Sequence, residues 1–265
     1  MQSVSSSMKA HLRPPSPTGS SLKKLPSSEE IQKIVQAFNT WAYKREQPSD
    51  IALLKDVTAR AVMRRQPLPF VLYWGKGPRS EVAEPDLQCL DYLASMAARV
   101  KDVYRWGTQF SLVLTDTHAT LNGHSSQSIN SYFTGVEKEA EKRGFTCYLL
   151  SELTDTAGRG VKVDDSQTPS DETIGKLTAS AMRWYRGGGS PEEGARKYFQ
   201  MNMIERQVIE LFFPSTIFVT FNGRDQRVLF PENLPIFYMY SLKRGFGDKP
   251  WFLADADLSA AAAND

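Results

Sequence analysis

The stretch Gln109-Phe-Ser-Leu-Val-Leu-Thr-Asp-Thr-His-Ala-Thr-Leu-Asn-Gly123 predicts the architecture of the whole chain. Its apolar run from Phe110 to Leu114 is typical of a buried central strand in a parallel sheet. The run ends abruptly in polar residues, among them Thr115, Asp116 and His118. Ligands of open α/β sheets bind outside the carboxyl ends of the strands, so we expect a functional site at this turn. The alternative is an Asx-turn at Asp116 that only closes the strand.

Strands and helices alternate on both sides of this stretch. A second apolar run, Phe70–Trp74, precedes it, and leucines at helical spacing lie between Pro85 and Gly107. A strand, a crossover helix and a second strand form a βαβ unit, whose strands are parallel. A further helix and the apolar run Thr146–Leu150 repeat the pattern. We therefore predict an α/β fold: a Rossmann-like open sheet with parallel core strands.

Additions are predicted at both ends of this sheet. Residues 26–66 contain two amphipathic helices, the first opening with a capping-box spacing, and they indicate an N-terminal helical lobe or lid. Residues 152–170 are polar and favour a long surface loop. Short apolar runs near the carboxyl end are separated by turn residues and predict antiparallel C-terminal edge strands joined as hairpins. These runs are Thr216–Phe221, Gln226–Phe230 and Ile236–Ser241.

Composition sets the domain organisation. At 265 residues and 41% hydrophobic content, a single core is the simplest arrangement. Residues 1–25 are rich in Ser, Pro, Gly and Lys and predict a disordered tail. Residues 26–258 are then one α/β catalytic domain, and residues 259–265 should fray.

Charge and residue usage exclude several classes of protein. With 32 Lys and Arg against 30 Asp and Glu, the net charge is +2, which favours neither a nucleic-acid nor a membrane partner. The absence of a long apolar run or leader predicts a soluble cytoplasmic protein. Cys89 and Cys147 lie in apolar settings typical of buried thiols. The three histidines lack metal-ligand spacing, so we expect no metal site.

Two basic segments follow predicted strands. Gly75-Lys76-Gly77-Pro78-Arg79 comes directly after the first strand, where cations flanked by glycines can bind a phosphate or carboxylate. Because neighbouring parallel strands end at one edge, Lys76, Arg79, Asp116 and His118 are expected to converge. A solvated basic turn is the alternative. A second basic segment after the last strand contains Lys243, Arg244 and Lys249, for which solvation is again the alternative.

Arg206 lies on an otherwise apolar helix face. An arginine there either pairs with a buried carboxylate, such as Glu205 or Glu210, or reaches a ligand. The glycine run Gly187–Gly189 has no strand before it, which favours a hinge over a phosphate-binding loop.

Six short motifs follow one another along the chain in a characteristic order. They are Phe70–Arg79, Pro85-Asp86-Leu87, Tyr104-Arg-Trp-Gly107, Leu112–Asp116, Glu205-Arg206 before Phe213-Pro214, and Lys249-Pro-Trp251. In this order they resemble the isocyanide (isonitrile) synthase family, also called the pyoverdine/dityrosine biosynthesis family, over roughly residues 68 to 252. The chain departs from that family in two places. It has Thr115-Asp116-Thr117 where the family usually has Ser-Asp-Gly, and Pro250-Trp251-Phe252 where the family has Pro-Trp-His.

The resemblance implies a metal-free enzyme without a cofactor. Such an enzyme joins the α-amino group of an amino acid, typically Tyr or Trp, to a carbon from ribulose 5-phosphate, the co-substrate. On this interpretation Lys76 and Arg79 hold a phosphate or carboxylate, Asp116 contacts the amine and His118 moves protons. The implied catalytic residues are Asp116, His118 and Lys76, and the implied substrate-binding residues are Arg79, Thr115, Arg206, Lys243 and Lys249.

Two other functions fit the same fold. One is a nucleotide- or S-adenosylmethionine-dependent transferase in which Asp116 binds a ribose hydroxyl, although the expected Gly-rich turn after the first strand is missing. The other is a non-catalytic ligand-binding protein that kept the fold and lost the chemistry.

Overall fold

A computed structural model of the chain describes residues 26–75, 77–158 and 168–239. The helices are α1 Ser28–Phe38, α2 Ile51–Arg64, α3 Glu84–Val103, α4 Asp116–Leu121, α5 Ser126–Glu141, α6 Leu150–Ala157, α7 Asp171–Trp184 and α8 Pro191–Phe212. The strands are β1 Leu68–Trp74, β2 Thr108–Leu114, β3 Thr146–Leu149, β4 Ile217–Thr220 and β5 Ile236–Tyr238, and a 3₁₀ helix spans Arg224–Leu229. The predicted tails, residues 1–25 and 259–265, lie outside the described residues.

The five strands form one parallel sheet in the order β3-β2-β1-β4-β5. The prediction of a Rossmann-like open sheet is therefore confirmed. β1 pairs with β2 along its whole length and with β4 through Phe70, Val71 and Leu72. The chain builds outward from β1 to β3 on one side and then returns to add β4 and β5 on the other. The strand order thus reverses between β1 and β4, which is where such sheets open a crevice for ligands.

The predicted antiparallel C-terminal edge was wrong. β5 is parallel to β4, and the connection between them contains a 3₁₀ helix where a strand was predicted. Leu229 and Phe230 bury their side chains in the apolar layer under α8, so this segment packs without pairing as a strand. Antiparallel contact with β5 comes instead from an early segment: Lys44 forms a bridge with Met239. This segment protects the outer edge of β5 from pairing with another chain.

Helices cover both faces of the sheet. On one face α1, α2, α3 and α5 form a single apolar cluster with the sheet. The ring of Phe38 packs edge-on against Phe70 at 5.3 Å and against Phe237 at 5.5 Å. The predicted N-terminal lobe is therefore a layer of the sheet's own core. On the other face α6 and α8 pack against Val71, Val113 and Phe218.

Local sequence signals account for most helix ends. The Ser27 hydroxyl accepts a hydrogen bond from the Glu30 amide at 3.0 Å, as an N-cap does. The long loop predicted from residue 152 was wrong in its first part, because α6 occupies 150–157. Leu150, Leu153 and Ala157 supply an apolar face that packs under the sheet, and residues 159–167 lie outside the described residues. No helix in the described part of the chain is long and apolar enough to cross a membrane.

Candidate functional site

A cavity of about 760 Å³ opens at the carboxyl edge of the sheet. Its walls come from the end of β1, from β4 and the 3₁₀ helix, and from α4, α7 and α8. It therefore lies at the β1–β4 crevice where the strand order reverses. Among the described residues, the titratable side chains that line it, apart from tyrosines, are Arg79, His118, His124, Lys176 and Asp225.

A buried histidine and a buried glutamate meet at one wall of this cavity. His118 Nε2 lies 2.5 Å from Glu205 Oε2, and the hydroxyl of Thr117 donates to Glu205 Oε1 at 2.9 Å. Both side chains are nearly enclosed, at 11% exposure for His118 and 3% for Glu205. A buried carboxylate is tolerated only when it is hydrogen-bonded, and Thr117 and His118 supply these bonds. Thr117 and His118 are adjacent in α4, and both side chains contact the carboxylate of Glu205.

The hydrogen bond to Glu205 determines which nitrogen of His118 carries a proton. An ionised carboxylate can only accept, so Nε2 donates in this bond, and in the neutral form of the ring Nδ1 is an acceptor. Nδ1 has no hydrogen-bond partner among the described residues. His118 can therefore take a proton from a bound molecule, and the Glu205 carboxylate would stabilise the resulting imidazolium.

Two tyrosines enclose the histidine. The Tyr198 ring packs edge-on against His118 at 5.0 Å, and the Tyr73 ring lies 6.4 Å away. Burial, reinforced by the charge of Glu205, raises the pKa of Tyr198 to about 12. The same two causes raise the pKa of Tyr73 well above its ordinary value. Both phenols stay protonated at neutral pH, and the buried Tyr73 hydroxyl has no hydrogen-bond partner among the described residues.

The structure brings together only part of the predicted site. Arg79 and His118 both line the cavity, and Arg79 forms no ion pair with any described residue. Thr115 and Asp116 are not among the lining residues. The Thr115 hydroxyl donates to the Trp74 carbonyl at 3.0 Å and so joins the ends of two strands.

Asp116 makes contacts that serve the fold. Its carboxylate accepts from the Ser151 amide at 3.0 Å and also from the Ser151 hydroxyl. Ser151 lies in the first turn of α6, so Asp116 satisfies a free amide at that helix end. The predicted turn at Asp116 is in fact the start of α4.

Arg206 contacts the segment between β4 and β5. Its Nη1 lies 2.9 Å from Glu232 Oε1 and 3.2 Å from the Val228 carbonyl. Glu205 is engaged by α4, and Glu210 accepts from the Asn233 amide at 2.9 Å. The two alternatives predicted for Arg206, pairing with Glu205 or Glu210 or reaching a ligand, stay predictions. Lys76, Lys243 and Lys249 lie outside the described residues.

Sequence reasoning missed the partner of His118 and both tyrosines. The sequence did carry a signal for Tyr198 and Glu205. Together with Asn202 they follow an i, i+4, i+7 spacing, which places polar side chains on one face of α8, while most other buried residues of this helix are apolar. His124 lines the cavity beside Gly77 and was also missed.

Two glycines allow two backbone segments to cross at the rim of the cavity. A Cβ at Gly187 would lie 2.5 Å from the Leu121 carbonyl oxygen, and a Cβ at Gly123 would lie 2.7 Å from that of Arg186. Gly187 therefore allows the close approach of two loops, and the hinge predicted for Gly187–Gly189 stays a prediction. Within the described ranges, no group of three or more His, Cys, Asp or Glu residues is arranged to hold a metal ion.

Comparison with known proteins defines the fold. No family model and no curated protein sequence matches the chain. The crystal structure of the PvcA protein from Pseudomonas aeruginosa superimposes with a TM-score of 0.63 at 15% identity, covering 84% of this chain and 87% of PvcA. The two proteins share their fold. Tyrosyl-tRNA synthetase from Pyrococcus horikoshii, in complex with L-tyrosine, reaches a TM-score of 0.45 at 16% identity over 75% of this chain and 52% of the synthetase, too low to define a common fold.

Proposed function

We propose that the protein is an isocyanide synthase-like enzyme that acts on the α-amino group of an amino acid and takes a carbon from ribulose 5-phosphate. Two findings support the proposal: the fold shared with PvcA, and the order of motifs over residues 68 to 252, which resembles the isocyanide synthase family. The observation that carries the proposal is the cavity at the strand-order reversal, which brings His118, with its partner Glu205, together with Arg79. An amine needs a proton acceptor, and a sugar phosphate needs a cation; Arg79 forms no ion pair within the described part of the chain.

His118 supplies the proton transfers of this chemistry. The substrate amine is an ammonium ion at neutral pH and must lose a proton before its nitrogen can attack the carbonyl carbon of the sugar. Nδ1 of His118 accepts that proton, and Glu205 stabilises the positive ring. The carbinolamine then loses its hydroxyl as water, for which the same imidazolium returns the proton.

Arg79 supplies an anchor for the phosphate or for the carboxylate of the amino acid. Guanidinium groups bind both anions through charge-assisted hydrogen bonds. Lys76, Lys243 and Lys249 remain proposed contributors to this anchor. Asp116 and Thr115 act on the fold in this proposal, since their side-chain oxygens are bonded to Ser151 and Trp74.

The test is a product assay with a ligand-binding control. Purified protein is incubated with ribulose 5-phosphate and a panel of amino acids, tyrosine and tryptophan first, and the products are analysed by mass spectrometry. The expected product has gained one carbon and lost two hydrogens relative to the amine. His118→Gln should form none while retaining its fold.

A thermal-shift screen separates the alternatives. A ligand that binds the native state raises the melting midpoint in proportion to RT ln(1 + [L]/Kd). A shift with ribulose 5-phosphate supports the proposal. A shift with S-adenosylmethionine alone would favour a transferase, and shifts with amino acids but no turnover would favour a non-catalytic binding protein.

A further inference from the structure

One polar group in the cavity wall has no partner inside the protein. The Tyr73 hydroxyl is buried, yet it forms no hydrogen bond with any residue of the described ranges. Buried polar groups in native proteins are nearly always hydrogen-bonded, because an unsatisfied one costs free energy. Of the buried side-chain atoms without a partner in those ranges, this hydroxyl is the one whose residue lines the cavity. Its position therefore points to a partner in a bound molecule.

The Tyr73 ring lies beside the proton-transfer pair. Its centroid is 6.4 Å from that of the His118 ring, and it packs edge-on against Phe218 at 5.2 Å, so the ring is held in place on the side of β4. Burial, and then the charge of Glu205, raise the pKa of Tyr73 well above its ordinary value, so the hydroxyl keeps its proton at neutral pH. The phenol is thus a hydrogen-bond donor close to a nitrogen that accepts.

The hydroxyl oxygen is covered in the ligand-free structure. A ligand reaches it when a neighbouring side chain of the cavity wall changes rotamer, as side chains commonly do on binding. Since the covered hydroxyl is already out of contact with solvent, the new hydrogen bond costs it no desolvation.

The proposed reaction places a nitrogen and an oxygen on one carbon. When the amine attacks the sugar carbonyl, its lone pair forms the N–C bond, and the electron pair of the C=O π bond moves to the oxygen. Negative charge develops on that oxygen in the transition state, where a donor already in position stabilises it. A proton then passes from the nitrogen to the oxygen to give the neutral carbinolamine, and the phenol retains its own proton.

We propose that Tyr73 is a further catalytic residue, whose hydroxyl donates a hydrogen bond to this oxygen while His118 accepts the proton of the amine. This role rests on the proposed function. That the hydroxyl has no partner within the described part of the chain does not rest on it.

The first test compares the stability of Tyr73→Phe with that of wild type by thermal melting. The variant removes only a hydroxyl that forms no hydrogen bond in the fold, so it should melt at or above the wild-type midpoint. Tyr104→Phe is the matched control, because the Tyr104 hydroxyl donates to the Gln66 carbonyl at 2.6 Å. Its midpoint should fall by about 2–4 °C. An equal fall in Tyr73→Phe would reveal an internal partner and overturn the proposal.

The second test is steady-state kinetics of the same variants. In Tyr73→Phe the value of kcat should fall by about a hundredfold, as it does when one donor to a developing oxyanion is removed. KM should change little, because the bond strengthens in the transition state. Tyr104→Phe should keep the wild-type values of both.

The outcomes separate this role from the proposed function. If wild type forms the product and Tyr73→Phe has an unchanged kcat, or a raised KM alone, Tyr73 is not the donor and the proposed function stands. If wild type forms no product from ribulose 5-phosphate with any amino acid of the panel, the proposed function fails and the catalytic role of Tyr73 fails with it. The melting comparison then still shows whether the hydroxyl has a partner within the protein.

Discussion

His118 Nε2 and Glu205 Oε2 lie 2.5 Å apart, and this contact joins the short helix after β2 to the middle of the 22-residue helix α8. The pair spans the cavity wall at the place where the strand order reverses. Because Glu205 can only accept, it fixes the imidazole with Nδ1 as the acceptor. The reactivity of His118 therefore depends on a residue 87 positions away in the sequence.

Glu205→Gln is expected to reduce turnover by about a hundredfold or more, in the range seen when acid–base catalysis is lost. Glutamine keeps the size of the side chain but cannot stabilise an imidazolium by its charge. The melting midpoint should change by only a few degrees, since no large cavity forms. Turnover is measured by steady-state kinetics and stability by thermal melting. If Glu205→Gln turns over as fast as wild type, the charge of Glu205 has no role in catalysis.

Arg79→Ala is expected to weaken binding of ribulose 5-phosphate by roughly tenfold to a hundredfold, because a charge-assisted hydrogen bond contributes about 1.5–3 kcal/mol. The measurement is calorimetry at low and at high salt, since an enclosed charge is screened less than an exposed one. Arg196→Ala is the control, because Arg196 pairs with Glu192 on the exposed face of α8. If wild type and Arg79→Ala bind ribulose 5-phosphate with equal affinity, Arg79 belongs to a solvated basic turn and does not bind the phosphate.

Asp116→Ala is expected to cost about 1–2 kcal/mol of unfolding free energy, as loss of a helix cap does. Both Ser151 contacts disappear, and the melting midpoint should fall by several degrees. Ser151→Ala removes only the hydroxyl contact and should cost less. A variant of Asp116 that melts like wild type but loses turnover by orders of magnitude would restore the catalytic role predicted from the sequence.

The raised pKa of Tyr198 predicts a loss of stability at alkaline pH. Its folded-state pKa of about 12 exceeds the unfolded value near 10, so its contribution is complete below about pH 10 and is lost as pH rises toward 12. Urea unfolding of wild type should show this decline between about pH 10 and pH 12. Tyr198→Phe should decline less over the same interval; identical declines would mean that Tyr198 ionises as freely when folded as when unfolded.

Burial, with smaller contributions from Glu137 and Glu141, raises the pKa of the Cys147 thiol to about 12. At pH 8 only about one thiol in ten thousand would then be ionised and reactive. Cys89 is fully buried. Titration with a thiol reagent should therefore detect neither cysteine in the native protein and both of them in denaturant. Rapid reaction of one thiol in the native state would contradict this.

Local patterns in the sequence determined the parallel core. The apolar runs that became β1 and β2 and the leucine spacing of α3 depend on neighbours within a few residues, because backbone periodicity sets which side chains are buried. The same reasoning placed Arg79 and His118 at the carboxyl edge, since parallel strands end together.

Only the tertiary structure decided what those residues contact. Glu205 meets His118 and Asp116 meets Ser151 through long-range packing of helices, and Arg206 meets Glu232 in the segment before β5. No local spacing in the sequence specifies these contacts. The segment 226–230 has the composition of a strand, yet its apolar side chains fill the layer beneath α8 and it winds into a 3₁₀ helix. Each of these segments is buried by residues that are distant in the sequence. The free energy that favours one conformation or contact over another therefore depends on the assembled core.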